Sequence, residues 1–287
     1  AYTLASSPKE AESGVYISTV KKAGILSSRL VDGVKVGDVL EASRPAGSFV
    51  YDAAGDCAHV VGVAGGAGIT SMLSMAKAAE EGSEPFTMTL FFCVQNAYEF
   101  LFKDVLDGMK SGRVHVVYVV ENDAPEWAES GVFTRGLLHR YVGEECTLFA
   151  CGGDALYNHI ARELADDKSV RNMKFSANSV TDREDEEERV FTLTVHLAGR
   201  KYVIPARAAE TVMVAMERAG LAALSQCRVG ECGFCRSVAI GGAFTAHPAH
   251  DKRSAEDIAA GVIHPCCTYP ESDAEIAVPL DPAAEVL

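Results

Sequence analysis

Four cysteines carry the strongest chemical signal in the chain. Cys227, Cys232 and Cys235 lie in the run Cys227-Arg228-Val229-Gly230-Glu231-Cys232-Gly233-Phe234-Cys235, a C-x4-C-x2-C spacing, and Cys266 follows far downstream with Cys267 beside it. This is the plant-type [2Fe–2S] spacing. Three thiolates in one short loop can grip two irons only if the backbone folds around the sulfides with N–H groups pointing inward. Gly230 and Gly233 permit that close approach. A structural zinc site is the alternative, but zinc motifs usually pair two C-x2-C knuckles and the second knuckle is missing. Spacing alone leaves both Cys266 and Cys267 open as the fourth ligand.

A second constellation is built on glycine. An apolar run, His59 to Ala64, leads into Gly65-Gly66-Ala67-Gly68-Ile69-Thr70-Ser71 and then into a helical pattern. Exposed N–H groups and a positive helix end meet there, which suits a pyrophosphate. Ser71 stands at the third glycine position of G-x-G-x-x-G, and a tight structural turn is the competing reading. After the second strand, Cys93-Val94-Gln95-Asn96 offers no basic side chain where a 2′-phosphate would want Arg, which favours NADH over NADPH. Lys103 and Arg113 are the cations that could fold in. His247, His250 and Asp251 have ligand chemistry but occupy a Pro-containing loop and read as solvated. Trp127, Tyr98 and Phe100 have no partners in a recognisable stacking platform.

The elements that must position these groups change character along the chain. Up to about Tyr51, short strand-like runs (Val15 to Val20, Val39 to Ala42) are separated by Gly and Pro, an all-β rhythm too short for a closed barrel. From His59, continuously apolar strands (His59 to Ala64, Met88 to Val94, Val114 to Val120, Thr147 to Cys151) alternate with helices at Ser71 to Glu81 and Leu156 to Ala165. Strands of this kind are buried on both faces of a parallel α/β sheet. The charge run Asp182 to Glu188 reads as a linker, with an acidic docking tail as the functional alternative. Beyond it Val190 to Ala198 alternates as a strand, Gly199-Arg200 turns, Lys201 to Ile204 pairs back, and a helix runs from Glu210 to Ala219.

Composition bounds the rest. A chain of 287 residues holds two or three domains,. A net charge of −14 disfavours nucleic acid and anionic membranes as partners,. No apolar run reaches the ~20 residues of a membrane span, which argues against membrane insertion. Nine cysteines, an odd count, fit metal ligation in a reducing cytoplasm better than disulfides,. The opening Ala1-Tyr2-Thr3-Leu4 does not read as a signal peptide, and the chain reads as a fragment or processed product.

From Val190 on, the chain resembles the ferredoxin family, whose last Cys precedes a Pro and then a Ser-Asp pair. Cys266, Pro270 and Ser272-Asp273 match that frame, so the resemblance selects Cys266. The run Ala64 to Thr70, the Cys151-Gly152 pair and Tyr2-Thr3 resemble the ferredoxin-NADP reductase superfamily, and the order of pieces resembles the phthalate dioxygenase reductase type. Two departures are Ser71 and Gly153, where that family often has Pro. The resemblance implies a multidomain fold: residues 1–53 as the C-terminal part of a β-barrel flavin domain, 54–179 as an α/β parallel-sheet NAD(P)-binding domain, 180–189 as an acidic linker, and 190–287 as an α+β β-grasp [2Fe–2S] ferredoxin domain. It implies that Gly66, Gly68, Thr70, Cys151 and Gly152 flank the nicotinamide. It also implies that Tyr2, Thr3, Gly24 and Ser27 hold FAD or FMN, with Thr3 beside the flavin N5 and Tyr2 against the ring. Simple strand roles for Tyr2 and Thr3, and a buried apolar thiol at Cys151, are the competing readings.

The implied activity is hydride transfer from NADH, or NADPH, to flavin, splitting of the electron pair, and single-electron transfer through the cluster to a redox protein acceptor. That acceptor would be an oxygenase, a demethylase or another metalloprotein. Two rivals differ in class: a non-catalytic zinc-stapled binding module, and an electron-transfer subunit of a larger complex that needs a partner for flavin binding.

Overall fold

The computed structural model describes residues 2–22, 25–42, 45, 47, 49–176, 189–221, 224–247 and 251–279. They belong to two compact units, one of Tyr2–Leu40 and Phe49–Asn178, the other of Glu41–Ser48 and Ser179–Leu287.

The first unit opens on α1 (Pro8–Glu12), started by a capping box in which Ser7 and Glu10 satisfy each other's backbone N–H,. The segment is fastened to the helix that follows the glycine turn: Ser74 donates to the Ser6 carbonyl at 2.7 Å, and Lys77 pairs with Glu10 at 2.9 Å. Helix α2 (Ile25–Gly33) comes next. Val15 to Val20, expected as a strand, contributes only an isolated bridge of Ser18 with Leu4, and Val39 to Ala42 is irregular. A short run becomes a strand only when a neighbour extends its ladder, and among the described residues Val15 to Val20 pairs only at that bridge and through the Ala5 N–H on the Ile17 carbonyl,.

From β1 (His59–Gly65) the α/β alternation takes over. It continues through α3 (Ile69–Glu80), β2 (Thr87–Val94), α4 (Lys103–Asp107), β3 (Val114–Val120), β4 (Glu129–Ser130), α5 (Arg135–Tyr141), β5 (Cys146–Cys151), α6 (Asp154–Glu163) and β6 (Val170–Phe175). The six strands form one parallel sheet in the order β4-β3-β2-β1-β5-β6. Alternate residues face opposite ways, so each strand feeds two cores. Val60, Leu90 and Phe92 bury on the α3 side, while Val61, Phe91 and Leu148 pack with Leu138 of α5 and Ile160 of α6. Each such side chain contributes roughly 1.5–3 kcal/mol on burial. The double burial explains why these strands are apolar throughout.

In the second unit β7 (Val190–Leu197) and β8 (Arg200–Arg207) form a hairpin whose turn residues Ala198 and Gly199 both have positive φ, 53° and 71°,. Then follow α7 (Val212–Arg218), β9 (Ser237–Gly241), β10 (Phe244–Ala246), α8 (Ala255–Ala259), β11 (Val262–Ile263), β12 (Thr268–Pro270) and β13 (Ala274–Val278). Five strands make a mixed sheet, β11-β9-β13-β7-β8, with β13 parallel to β7, and α7 lays Val212, Ala215 and Met216 on it. The acidic run Asp182 to Glu188 lies outside the described residues.

Candidate functional site

In the nucleotide unit, β1 ends in a tight turn, Gly66–Gly68, that hands directly into α3. Gly66 has φ +51°, where a side chain would be strained,. The neighbouring strand β5 ends beside it, with Ala64 in register with Cys151. The two glycine-bearing turns are packed back to back. A Cβ on Gly68 would collide with the Cys151 carbonyl, and one on Gly65 would meet the Leu156 side chain at 2.8 Å. So Gly66, Gly68, Thr70, Cys151 and Gly152 are drawn to the C-terminal ends of two central strands, the place where open α/β sheets bind ligands. Thr70 donates to the Ala67 carbonyl at 3.2 Å, and Ser71, the departure from the glycine fingerprint, donates to the Gly68 carbonyl at 3.1 Å and closes the turn.

Tyr157 is a participant the sequence did not reveal. Its hydroxyl accepts from the Gly152 N–H at 3.1 Å and donates to the Ser176 carbonyl at 2.7 Å, tying the Cys151-Gly152 turn to the end of β6. Tyr2 and Thr3 lie in exposed extended backbone ahead of the Leu4 bridge, and Ser27 is buried in the first turn of α2. Gly24 lies outside the described residues.

The candidate cations, Lys103 in α4 and Arg113 just before β3, are already engaged. Lys103 is paired with Asp107 at 2.6 Å and lies 4.5 and 4.7 Å over the rings of Tyr118 and Trp127. Arg113 donates to the carbonyls of Glu84 and Phe86. Contrary to expectation, Phe100 and Trp127 do have aromatic partners: Phe100 packs edge-on against Phe92 and Tyr118 at 4.9 and 4.8 Å, and Trp127 against Tyr118 at 5.7 Å. The partner Tyr118 comes from β3, so sequence proximity gave no hint of it.

In the second unit the cysteine loop wraps its amides around sulfur. Cys227 Sγ accepts from the N–H groups of Val229 and Cys232 at 3.5 and 3.4 Å, Cys232 Sγ from Phe234 N–H at 3.5 Å, and Cys266 Sγ from Gly230 N–H at 3.3 Å. Positive φ at Arg228, Gly230 and Gly233 turns those amides inward,. The cysteines gather as two pairs: Cys235 Sγ and Cys266 Sγ stand 3.4 Å apart, and Cys227 Sγ accepts from the Cys232 backbone N–H at 3.4 Å. Among the described residues no three His, Cys, Asp or Glu converge as ligands of a single ion. Two pairs suit two irons joined by sulfides better than one tetrahedral zinc, so the residues fit a [2Fe–2S] cluster.

Cys267 Sγ lies in the same buried cluster as Cys235 and Cys266 and donates to the His264 carbonyl at 3.5 Å. The hydrogen bond from Cys235 draws the Cys266 thiol down, but contact with Cys267 and burial push it up to about 12. Ligation must therefore displace thiol protons. Asp251, once a candidate metal ligand with His247 and His250, is held by both arms of Arg253 at 2.7 Å, His247 donates its backbone N–H to the Cys267 carbonyl, and His250 lies outside the described residues.

Comparison with known families agrees with both halves. Residues 63–162 match the oxidoreductase NAD-binding domain, and residues 195–271 match the 2Fe-2S iron-sulfur cluster binding domain. The two matches lie side by side in one polypeptide. The chain is an NAD(P)H-dependent flavin and iron–sulfur reductase, an electron-transfer oxidoreductase. It is 26% identical over 290 residues to NADH oxidoreductase HCR of Escherichia coli (strain K12), covering 96% of this chain and 83% of that protein. With the phthalate 4,5-dioxygenase oxygenase reductase subunit of Pseudomonas putida it shares 26% identity over 248 residues, 84% of this chain and 71% of the relative. The solved phthalate dioxygenase reductase shares the reductase's fold, with a TM-score of 0.70 at 23% identity over 97% of this chain and 83% of that one. Among the described residues no helix is long and apolar enough to cross a membrane.

Proposed function

We propose that this reductase takes hydride from NADH, passes it to a flavin, and exports single electrons through a [2Fe–2S] cluster to a protein oxygenase. The observation that carries the reading is the presence, in one chain, of back-to-back glycine turns and a cysteine loop that donates amides to its sulfurs. The first builds a floor against which a nicotinamide nucleotide can lie, and the second stabilises negative charge on cysteine sulfur.

Each residue has a role in this reading. Gly66, Gly68 and Thr70 present the β1 turn to the nucleotide, and Cys151 and Gly152 close the nicotinamide side. Cys227, Cys232, Cys235 and Cys266 ligate the irons; the Gly230 amide on Cys266 and the 3.4 Å approach of Cys235 to it support Cys266 as the fourth ligand. Tyr2 and Thr3 would lie at the flavin ring and its N5, and Gly24 with Ser27 would hold the phosphate of FAD or FMN. NADH is favoured because Lys103 and Arg113 are engaged and Glu99 and Glu121 stand near the ends of β2 and β3, where a 2′-phosphate would be repelled,. The division into residues 1–53, 54–179, 180–189 and 190–287 gives each cofactor its own module. A reducing, cytoplasmic setting is supported by nine free cysteines. An oxygenase acceptor is supported by the oxygenase reductase subunit among the relatives.

An anaerobic titration with NADH, followed in the visible and by EPR alongside iron, zinc and flavin analysis, tests this. Two irons per chain, a flavin band, and bleaching of both chromophores are expected. A colourless protein with one zinc and no response to NADH would refute it.

A further inference from the structure

We propose that His264 is a positioning residue for the cluster: its imidazole holds the cysteine loop to the turn that carries Cys266 and thereby aims the Gly230 amide at the Cys266 sulfur. The inference rests on the cluster reading above and deepens it.

His264 is 3% exposed and lies two residues before Cys266. Its Nδ1 is 2.9 Å from the Gly230 carbonyl, so Nδ1–H donates and the tautomer is fixed,. The same Gly230 donates its own N–H to Cys266 Sγ at 3.3 Å. One peptide neighbourhood is thus gripped from both sides, by the imidazole through its oxygen and by the sulfur through its nitrogen. The His264 backbone carbonyl closes the turn, accepting from Cys267 N–H at 2.9 Å, Thr268 Oγ1 at 2.9 Å and the Cys267 thiol at 3.5 Å. The imidazole Nε2 is buried with no partner and faces the second loop glycine, where a Cβ on Gly233 would come within 3.7 Å. A buried orphan nitrogen is costly. A residue serving only to fill space would be an aliphatic one, so what the histidine provides is its Nδ1–H.

The consequence concerns reduction. An amide donated to a ligand sulfur stabilises the more negative, reduced cluster, and slackening it favours the oxidised form. The test uses the full chain with its cluster and three variants. His264→Asn places an N–H near the Nδ1 position; His264→Gln extends it toward the Nε2 position; His264→Leu removes it. Potentiometric titration, EPR of the reduced cluster and the rate of iron loss to a chelator are measured on each.

Expected is a shift of the reduction equilibrium toward the oxidised form by about tenfold, or about 59 mV for one electron, in His264→Gln and His264→Leu. These variants should also show altered EPR and faster iron loss, while His264→Asn stays close to wild type. If His264→Leu does not fold, the Asn and Gln pair decides alone. Equal potentials and spectra in Asn, Gln and wild type would overturn the proposal, as would equal shifts in Asn and Gln, which would mark a packing effect. A wild-type protein without iron would instead sink the cluster reading itself, and the two failures are thereby told apart.

Discussion

At the scale of single residues, the floor proposed for the nucleotide depends on the absence of atoms as much as on their presence. Gly68 lies so close to the Cys151 carbonyl that Gly68→Ala must push the two turns apart. Overpacking of this kind costs about 1–3 kcal/mol. NADH binding is expected to weaken about tenfold if ~1.4 kcal/mol of it falls on the site, read by titration of the charge-transfer or fluorescence signal. Tyr157→Phe makes a different case. It leaves the Gly152 N–H and Ser176 carbonyl without their present partner, an expected loss of about 1–3 kcal/mol of stability if water does not replace the hydroxyl,. Flavin reduction by NADH should slow in stopped flow, because the Cys151-Gly152 turn loses its tie to β6. An unchanged rate and melting temperature would remove Tyr157 from the site. The two glycine-bearing turns were legible as turns from the sequence because turn chemistry is local. Tyr157 was not, since its partner Ser176 is supplied by a different strand end, and His264 looked like any residue near a ligand until its ring was seen on Gly230.

At the scale of elements, the parallel sheet was legible because both faces of each strand are buried and the apolar runs are therefore unbroken. The hairpin of β7 and β8 was legible from alternation and its turn. Two kinds of element were not. Helix α2 was hidden under Gly and polar residues that suggested an all-β rhythm, and β6 is only partly buried, so Val170–Phe175 lacks the apolar signature of its neighbours. Strand pairing also sets a pH response. His59, at the start of β1, has its ring nitrogens 3.0 and 3.1 Å from the hydroxyls of Thr87 and Thr89 on β2, with the Glu144 carboxylate 3.3 Å away. Burial lowers its pKa from 6.5, and Glu144 only partly opposes this. The folded state thus binds fewer protons than the unfolded one, so this contribution is present above pH ~6.5 and is lost as the pH falls toward the depressed folded pKa. Denaturant midpoints followed by Trp127, the one tryptophan of the chain and a member of this unit, should fall between pH 7.5 and 5.5. In His59→Gln that fall should flatten. A slope identical in wild type and variant would place the titration elsewhere.

At the scale of the whole molecule, the chemistry is divided between two compact units, and the division itself can be tested. On the proposed function, two-electron chemistry belongs to the unit with the glycine turns and one-electron export to the unit with the cysteines. Hydride and electron transfer reward proximity and electrostatics, which is what cofactor-holding modules provide. Removing the fourth ligand should therefore separate the two activities. In Cys266→Ser, reduction of a two-electron dye by NADH should persist, while reduction of the one-electron acceptor cytochrome c falls by at least about tenfold and the iron content drops. Cys267→Ser should leave both activities and the iron in place, because the Cys267 sulfur is turned toward the His264 carbonyl and the Gly230 amide serves Cys266. If the two serines behaved in the opposite way, the ligand would be Cys267 and the amide on Cys266 would have no part in the cluster. If Cys266→Ser abolished dye reduction as well, the two units would be coupled through the nucleotide site and the modular division would fail.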